Sequence, residues 1–290
     1  MINILYCGDR NIEDGLMISV LSLLKNSSEE LNIFVLTLSL SAKETGGREV
    51  CPVTEQIIQY LDRRVKEQNA HSRVRLIDAT EQFKKQVPAA NMATRFTPCC
   101  MLRLFADQIP EIPDRILYLD NDVVCRRNPG DFYHQEMESW ELAGVLDYYG
   151  KWFFRRNPFH MDYLNSGVLL LNIKKIRQTG LFERCRALCR SKKMFMPDQS
   201  AINKLAETKK ICCRKYNDQR RLHEDTVLQH FTTSFRLFPW IHTLTVKPWE
   251  VERVHSVLKL TEYDDLLEEY IRERTGLRGM SGTLRRGENL

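Results

Sequence analysis

Two carboxylates one residue apart, Asp120 and Asp122, follow the apolar run 116–119 and precede Val123 and Val124. The apolar, β-branched and aromatic residues of this stretch predict a buried strand. Because side chains i and i+2 of a strand share a face, both carboxylates should project the same way from its end. Two neighbouring carboxylates repel each other unless a cation lies between them. The pair therefore suits Mg²⁺ or Mn²⁺, which would take its other ligands from a diphosphate. The alternative is a surface turn with two solvated aspartates.

The elements that must position these carboxylates alternate between strands and helices. Residues 2–6 and 31–38 are strand-like, and apolar residues recur at helical spacing between residues 16 and 25. A strand, loop, helix and second strand predict a parallel α/β sheet, in which ligands bind beyond the carboxyl ends of the strands. The loop after the first strand, residues 7–11, is therefore a candidate ligand loop, with an ordinary turn as the alternative.

Several later residues lie at the ends of predicted elements. The pattern predicts further strands at 74–78, 141–146, 165–172 and 226–231, and helices at 54–65, 174–193, 197–203 and 264–271. Asp147 and His230 close two of these strands, Asp198 could cap a helix, and a helix beginning at Thr97 and Pro98 carries Arg103. Three of these residues have a purely structural alternative: His230 as a core histidine, Asp198 as an N-cap and Arg103 as a solvated arginine.

An aromatic and arginine-rich segment, residues 148–162, shows no regular period. It is either a packed cover over the sheet or a flap that binds an acceptor. Aromatic faces suit sugar rings and arginines suit charged groups, so the second interpretation predicts a saccharide or glycolipid partner.

Composition excludes several classes of protein. The 290 residues carry a formal net charge of +5, without a basic run dense enough to predict nucleic-acid binding. Nine scattered cysteines match neither a disulfide framework nor a zinc site, which predicts reduced thiols. No signal peptide and no run of about 18 apolar residues is present. These features predict a cytoplasmic protein without a transmembrane segment, with peripheral contact at the inner face of the membrane as a further option.

Five motifs in order resemble the retaining nucleotide-sugar glycosyltransferases of family 8, which include bacterial lipopolysaccharide glucosyl- and galactosyltransferases and glycogenin. The resemblance extends over residues 3–270. The matching stretches are residues 117–122, 165–172, 198–199, 230–231 and 247–249.

The resemblance implies an α/β GT-A fold, a Rossmann-like and mostly parallel sheet flanked by helices, with a small antiparallel extension. It would form a single domain over residues 1–275, followed by a flexible or non-native tail at 276–290. It implies that Mn²⁺, or Mg²⁺ as the alternative, is bound by Asp120, Asp122 and His230. Asp198 and Gln199 are implied as catalytic residues. The implied sugar-donor contacts are Cys7, Gly8, Asp9, Asn11, Arg103, Asn121, Asp147, Asn165, Ser166 and Lys247.

One departure from the family pattern concerns the third metal ligand. The family has a short segment in which a histidine closely precedes the sequence Lys-Pro-Trp. Here Lys247 follows His230 by seventeen positions (247 − 230), and His242 lies nearer to it. His230 is preferred because it ends an apolar strand and precedes Phe231. The long insertion leaves the place of Lys247 open.

The implied activity is transfer of glucose or galactose from UDP-glucose or UDP-galactose to a hydroxyl group of a cell-envelope saccharide, with retention. The neutral amide of Gln199 is a poor nucleophile, and sugar hydroxyls would engage Asp198, which favours attack by the acceptor on the same face. Three other functions stay open: a catalytically silent sugar-nucleotide-binding protein, a self-glycosylating primer, and a nucleotidyltransferase. The last lacks a glycine-rich, lysine-bearing loop near the first strand.

Overall fold

A computed structural model describes residues 1–92, 98–150, 162–236 and 242–287, with side chains for 1–92, 98–150, 162–234 and 243–277. The described strands β1–β11 are Ile2–Cys7, Leu31–Thr37, Arg73–Asp78, Arg115–Leu119, Val123–Cys125, Leu142–Leu146, Leu164–Asn172, Lys209–Ile211, Leu228–His230, Ser234–Arg236 and His242–Leu244. The described helices α1–α10 are Glu13–Asn26, Ala42–Thr45, Glu55–Gln68, Thr80–Lys85, Gly130–Tyr133, Ile173–Thr179, Leu181–Ser191, Pro197–Leu205, Val251–Ser256 and Asp264–Gly287. The 3-10 helices are Arg10–Ile12, Ala89–Asn91, Pro98–Gln108 and Arg214–Tyr216.

Seven of the described strands form a central sheet in the order β3-β2-β1-β4-β7-β6-β8. Strand β1 pairs in parallel with β2 and β4, β2 with β3, and β6 with β8. Strand β7 runs antiparallel to both of its neighbours, β4 and β6. Two short antiparallel sheets, β5-β9 and β10-β11, stand beside the central sheet. The mostly parallel sheet with a small antiparallel extension is therefore confirmed.

Each central strand sends alternate side chains into two separate hydrophobic cores. On β4, Leu117 and Leu119 belong to the core under α1, α3 and α10, whereas Ile116 and Tyr118 belong to the core under the 3-10 helix Pro98–Gln108. Burial on both faces explains why β1, β2 and β4 are apolar without alternation to polar residues. The two cores hold the carboxyl ends of β1 and β4 beside the amino end of the antiparallel strand β7.

The stretch that contains Asp120 and Asp122 differs from the sequence prediction. The run predicted as one strand is two, because β4 ends at Leu119 and β5 begins at Val123 in a different sheet. Asp120 and Asp122 therefore lie in the intervening turn, which the N–H of Val123 closes by donating to the carbonyl of Asp120 at 3.2 Å. Strand alternation consequently does not explain why the two carboxylates converge. The turn and the pairing of β5 with β9 explain it.

The helix predicted over residues 174–193 is also two helices, α6 and α7. Gly180 separates them with a φ of +65°, a left-handed conformation that glycine adopts without strain. The last helix, α10, continues beyond Gly276 to Gly287, where composition predicts a flexible tail. Leu277 explains part of this difference, since its side chain is buried and its carbonyl accepts from Gln56 Nε2 at 3.2 Å.

Candidate metal and sugar-nucleotide site

Asp120, Asp122 and His230 lie together at the carboxyl edge of the sheet, each with a ligand atom within 4.8 Å of the others. His230 Nε2 is 3.1 Å from Asp122 Oδ1 and 3.7 Å from Asp120 Oδ2. Backbone pairing produces this convergence, because His230 is the register partner of Val123, the residue after Asp122. Two carboxylate oxygens and one imidazole nitrogen form a ligand set that suits Mn²⁺ and that Mg²⁺ also accepts.

Gly167, on the neighbouring strand β7, leaves room for this cluster. A Cβ at this position would lie 2.0 Å from His230 Cε1 and 2.8 Å from Asp120 Oδ2. The backbone is equally close, since the Gly167 carbonyl accepts from the N–H of Asp120 at 2.8 Å. Residue 167 must therefore lack a side chain for the histidine ring and the carboxylate to approach each other.

Hydrogen bonds fix Asp120 from the side opposite His230. Its Oδ1 accepts from the Tyr118 hydroxyl at 2.6 Å and from Arg103 Nη2 at 2.9 Å. The Arg103 guanidinium also lies over the Tyr118 ring, 4.0 Å from its centroid. With Oδ1 occupied by two donors, Oδ2 is the Asp120 oxygen that faces His230 and Asp122. Outer contacts of this kind orient metal-binding carboxylates in proteins.

Arg103 joins the metal cluster to Asp198, at the start of α8. Its Nε lies 3.2 Å from Asp198 Oδ2, and its Nη1 donates to the carbonyl of Ser166. The arginine is 4% exposed and Asp198 is 5% exposed. Burial raises the pKa of Asp198, although Arg103 opposes this effect. Burial would lower the pKa of Arg103, but Tyr118, Asp120 and Asp198 raise it above its usual value.

Lys247 lies at the other side of the cluster. Its Nζ contacts Asp122 Oδ2 and donates to the carbonyl of Phe231 at 3.0 Å. Burial alone would raise the pKa of Asp122, but the Lys247 ammonium holds it well below the usual range. The long insertion between His230 and Lys247 therefore does not remove the lysine from the site. His242 begins β11, and its side chain lies outside the described residues.

A second network surrounds the carboxylate of Asp147 at the end of β6. Its Oδ2 accepts from Asn165 Nδ2 at 2.9 Å and from Gln199 Nε2 at 3.2 Å. Its Oδ1 accepts from the N–H groups of Tyr149, at 3.1 Å, and Gly150, at 2.6 Å. Gln199 Oε1 in turn accepts from Ser166, at 2.9 Å from its N–H and 3.2 Å from its hydroxyl. Asp147 thus holds the amides of Asn165 and Gln199 in fixed orientations.

The polarity of this network determines the tautomer of His230. An ionised Asp147 only accepts, so Asn165 must turn its NH₂ toward it and its carbonyl oxygen toward Asn217. The N–H of Gly167 independently donates to that same oxygen at 3.0 Å. Asn217 therefore donates its NH₂ to Asn165 at 2.9 Å and presents Oδ1 to His230 Nδ1 at 3.2 Å.

It follows that His230 carries its proton on Nδ1, since only a donor can face the Asn217 oxygen. The lone pair of Nε2 then points toward Asp120 and Asp122, which is the arrangement that a metal-binding histidine requires. Asn217 is fully buried and makes no contact that the sequence prediction anticipated. One chain of four hydrogen-bonding side chains thus connects the Asp147 network to the metal cluster.

These groups surround one cavity of 520 Å³. Its described lining includes Arg103, Asp120, Asp122, Asp147, Asn165, Ser166, Asp198, Gln199, His230 and Lys247. Cys100, Tyr149, Gly150, Gln219 and three threonines complete most of the wall. Such a volume suits a cofactor-sized ligand.

Comparison with protein families decides which class this site represents. The model of glycosyl transferase family 8 matches residues 3–252. The chain belongs to glycosyl transferase family 8. Among curated relatives of this family-8 chain, the lipopolysaccharide 1,2-glucosyltransferase of Escherichia coli K12 is 24% identical over 272 residues, covering 85% of this chain and 75% of the relative. Glucoside xylosyltransferase 2 of Mus musculus is 34% identical over 95 residues, 29% of this chain and 21% of the relative.

Solved structures agree on the fold. The galactosyltransferase LgtC, in complex with donor and acceptor sugar analogues, has a TM-score of 0.65 at 17% identity, with 92% of this chain and 96% of LgtC covered. The glycosyltransferase GlyE of Streptococcus pneumoniae TIGR4 has a TM-score of 0.58 at 16% identity, covering 94% and 65%. The family-8 chain therefore has the GT-A fold of these enzymes.

The structure does not bring every predicted site residue to the cavity. The described lining does not include Cys7, Gly8, Asp9, Asn11 or Asn121. Asp9 Oδ1 instead accepts from the N–H of Asn11 at 3.0 Å and so caps the 3-10 helix Arg10–Ile12. Asn121 packs against α1, where a Cβ on Gly15 would be 2.3 Å from its carbonyl oxygen. Roles for these five residues in binding a sugar donor stay predictions.

Tyr118, Asn217 and Gln219 are among the residues of the site that the sequence prediction did not include. Tyr118 precedes Asp120 by two positions, and the alternation of β4 was a signal that both face the same way. Asn217 and Gln219 lie in a polar stretch between elements, with no period that sets them apart. Most of the predicted acceptor flap, residues 151–161, lies outside the described residues. Among the described helices, none is long and apolar enough to span a membrane.

Proposed function

We propose that this chain is a metal-dependent, retaining hexosyltransferase that moves glucose or galactose from a UDP-sugar to a hydroxyl group of a saccharide. Membership of family 8 supports transfer from a sugar donor. The observation that carries the finer proposal is the convergence of Asp120, Asp122 and His230 with Arg103 and Lys247 around one cavity. This arrangement suits a diphosphate, because it combines a site for a divalent cation with two fixed positive side chains.

The reaction breaks the bond between the anomeric carbon and the diphosphate oxygen. A divalent metal bound by the Asp-Asp-His cluster would act as a Lewis acid toward the diphosphate. Lys247 would stabilise the negative charge that develops on the departing oxygens. Arg103 is fully engaged with Asp120, Asp198 and Ser166, so it would act mainly by holding these groups in place. Losing one preorganised electrostatic contact typically slows such a reaction by about a hundredfold or more.

Retention requires either a nucleophile on the far face of the sugar or attack by the acceptor on the same face. Gln199 is a poor nucleophile, because its carbonyl oxygen already accepts two hydrogen bonds from Ser166. Asp198 is paired with Arg103, which reduces its availability for bond formation. We therefore favour attack on the same face. The acceptor oxygen bonds to the anomeric carbon as the phosphate oxygen leaves, and the acceptor proton passes to that phosphate oxygen.

Two expectations on the acceptor and the metal complete the proposal. The relationship to a lipopolysaccharide 1,2-glucosyltransferase supports a saccharide of the cell envelope as acceptor. The two oxygens and one nitrogen of the ligand set support Mn²⁺, with Mg²⁺ as the alternative.

UDP release from a panel of UDP-sugars, with and without Mn²⁺ and without added acceptor, tests this proposal. We expect metal-dependent release from UDP-glucose or UDP-galactose, and a loss of about a hundredfold or more in Asp122→Ala. Asp114→Ala is the matched control, because Asp114 is an exposed aspartate whose Arg177 contact is 3.5 Å long. It should behave as the wild type.

UDP binding is measured in the same samples. A protein that binds no UDP in the presence of Mn²⁺ would contradict the proposal. Binding without turnover would favour a silent sugar-nucleotide-binding protein. Anomeric NMR of the transferred sugar decides between retention and inversion.

A further inference from the structure

A second cavity, of 620 Å³, adjoins the site and has a cationic wall. Its floor is the end of β6, formed by Val145 and Leu146. Its wall comes from the loop that follows the 3-10 helix Arg214–Tyr216. Three arginines and a histidine line it: Arg214, Arg220, Arg221 and His223.

The charges of this wall are unevenly compensated. Arg214 pairs with Asp218 and, at 2.6 Å, with Asp225, and His223 Nδ1 is 2.8 Å from Asp218. Arg220 and Arg221 have no carboxylate partner in the described parts of the chain. Arg220 instead donates to the Tyr148 hydroxyl, and Arg221 Nε donates to His223 Nε2 at 3.2 Å. Two guanidinium groups therefore carry uncompensated positive charge at the cavity wall.

Asp218 and strand β9 hold the loop that carries the two arginines in place. Asp218 is 2% exposed, and its side chain accepts from Arg214, His223 and Thr226. Its backbone is tied to β9, since its N–H donates to Leu228 and its carbonyl accepts from the N–H of His230, both at 2.9 Å. The cationic wall is thus held in place by a buried carboxylate and the strand that bears His230.

The two cavities share a wall. Gln219 lines both, and its side chain is pinned by the N–H of Tyr148 at 2.8 Å and by the carbonyl of Leu146 at 2.9 Å. Tyr148 lines the cationic cavity and Tyr149 lines the first, with their rings edge to face at 4.9 Å. Arg220 lies over the Tyr148 ring, 5.0 Å from its centroid. A pair of aromatic rings therefore leads from the first cavity to the two arginines.

We propose that the acceptor saccharide carries a phosphate or carboxylate group, and that Arg220 and Arg221 bind this group in the second cavity. The inference rests on the proposed function, in which the first cavity binds the sugar donor. A sugar ring would lie along Tyr149 and Tyr148, because aromatic faces suit pyranose rings. Guanidinium groups bind phosphate and carboxylate oxygens with paired, charge-assisted hydrogen bonds.

Inorganic phosphate is the first probe, used with saturating UDP and Mg²⁺ so that the first cavity is occupied. We expect saturable phosphate binding by titration calorimetry, weaker by about tenfold or more in the double variant Arg220→Ala/Arg221→Ala, since the loss of charge-assisted hydrogen bonds weakens binding by this order. Arg190→Ala is the matched control, because Arg190 is an exposed arginine on α7 and does not line the cavity.

Acceptor selectivity is the second measurement. Galactose, galactose 6-phosphate and galacturonate are compared as acceptors by kcat/KM in the wild type and both variants. We expect a charged sugar to exceed galactose by about tenfold, and the double variant to lose this preference. The two charged sugars distinguish a phosphate from a carboxylate as the recognised group.

Equal phosphate binding by the wild type and the double variant would overturn the inference, and so would a preference for charged sugars that survives in the double variant. UDP release without acceptor keeps the two proposals separate. If metal-dependent release persists in the double variant while its phosphate binding is lost, both stand. If no UDP binds at all, the proposed function fails, whatever the phosphate result.

Discussion

Arg103 and Arg186 are both buried arginines at the 3-10 helix Pro98–Gln108, but their surroundings differ. Arg103 belongs to this helix, and Arg186 contacts it from α7. Arg186 makes a two-pronged pair with Asp107, at 2.5 and 3.1 Å, and lies over the Phe105 ring at 5.3 Å. Arg103 divides its nitrogens between Asp120, Asp198 and a backbone carbonyl. Each arginine is 4% exposed, so burial does not distinguish the two regions.

The two regions differ in whether a carboxylate oxygen remains free to bind a ligand. Asp107 gives both of its oxygens to Arg186, so this pair is closed and does not line the site cavity. Asp120 gives one oxygen to Arg103 and Tyr118 and turns the other toward His230. A buried charge pair that is complete serves the fold, whereas a pair that leaves carboxylate oxygens facing a cavity can serve binding. The comparison therefore predicts opposite consequences when each region is disrupted.

The largest effect is expected in the closed region. Asp107→Ala leaves the Arg186 guanidinium buried without its carboxylate, which should lower the free energy of unfolding by about 3–5 kcal/mol. Urea unfolding measures this loss, and Mn²⁺ affinity of the folded protein should not change. Asp198→Asn is the comparison, since Arg103 keeps Asp120 as a partner and should lose less stability. The distinction between the regions fails if Asp107→Ala weakens Mn²⁺ binding while stability is maintained.

A smaller effect, on the metal alone, is expected at Asn217. Asn217→Ala removes the oxygen that keeps the proton of His230 on Nδ1, so Mn²⁺ affinity should fall by about 10- to 100-fold. Electron paramagnetic resonance measures the free Mn²⁺, and ¹⁵N NMR of the imidazole reports the tautomer.

Asn91→Ala is the matched control for this experiment. Asn91 is another fully buried asparagine, whose hydrogen bonds go to the backbone of Cys189, Lys192 and Met194. It should cost stability without changing the affinity for Mn²⁺. Unchanged Mn²⁺ affinity in Asn217→Ala, or a ring that carries its proton on Nε2 alone in the metal-free wild type, would refute the assignment of the tautomer.

The same comparison explains which parts of the structure were predictable from the sequence. Along the chain, short apolar runs alternate with segments in which apolar residues recur at helical spacing. This order predicts the α/β sheet, because strands that are buried on both faces have continuous apolar sequences. The carboxyl ends of the predicted strands also indicated Asp147 and His230 as site residues, and both line the same cavity. These are local signals, readable within a few residues.

The contacts that complete the site are not local. Asn217 meets Asn165 across 52 positions, and Lys247 meets Asp122 across 125. The break between β4 and β5 also depends on a distant partner, since β9 is the strand that pairs with β5 in the described parts of the chain. Apolar residues flank Asp120, Asn121 and Asp122 on both sides, and nothing within a few residues shows that Val123 and Val124 join another sheet. This is why the sequence predicts one strand where there are two.

The smallest effect is a difference in pH dependence between Asp122 and Asp198 in metal-free protein. Lys247, outweighing burial, lowers the pKa of Asp122, so its contribution to stability is present above about pH 4 and is lost as pH falls. Burial raises the pKa of Asp198, so the folded state prefers it protonated and its contribution falls as pH rises. Urea unfolding at pH 3 and pH 7 should therefore show Asp122→Asn more damaging at pH 7, and Asp198→Asn less damaging at pH 7. If both variants change in the same direction, the two carboxylates do not have the opposite electrostatic environments inferred here, and Arg103 would stabilise Asp198 as fully as Lys247 stabilises Asp122.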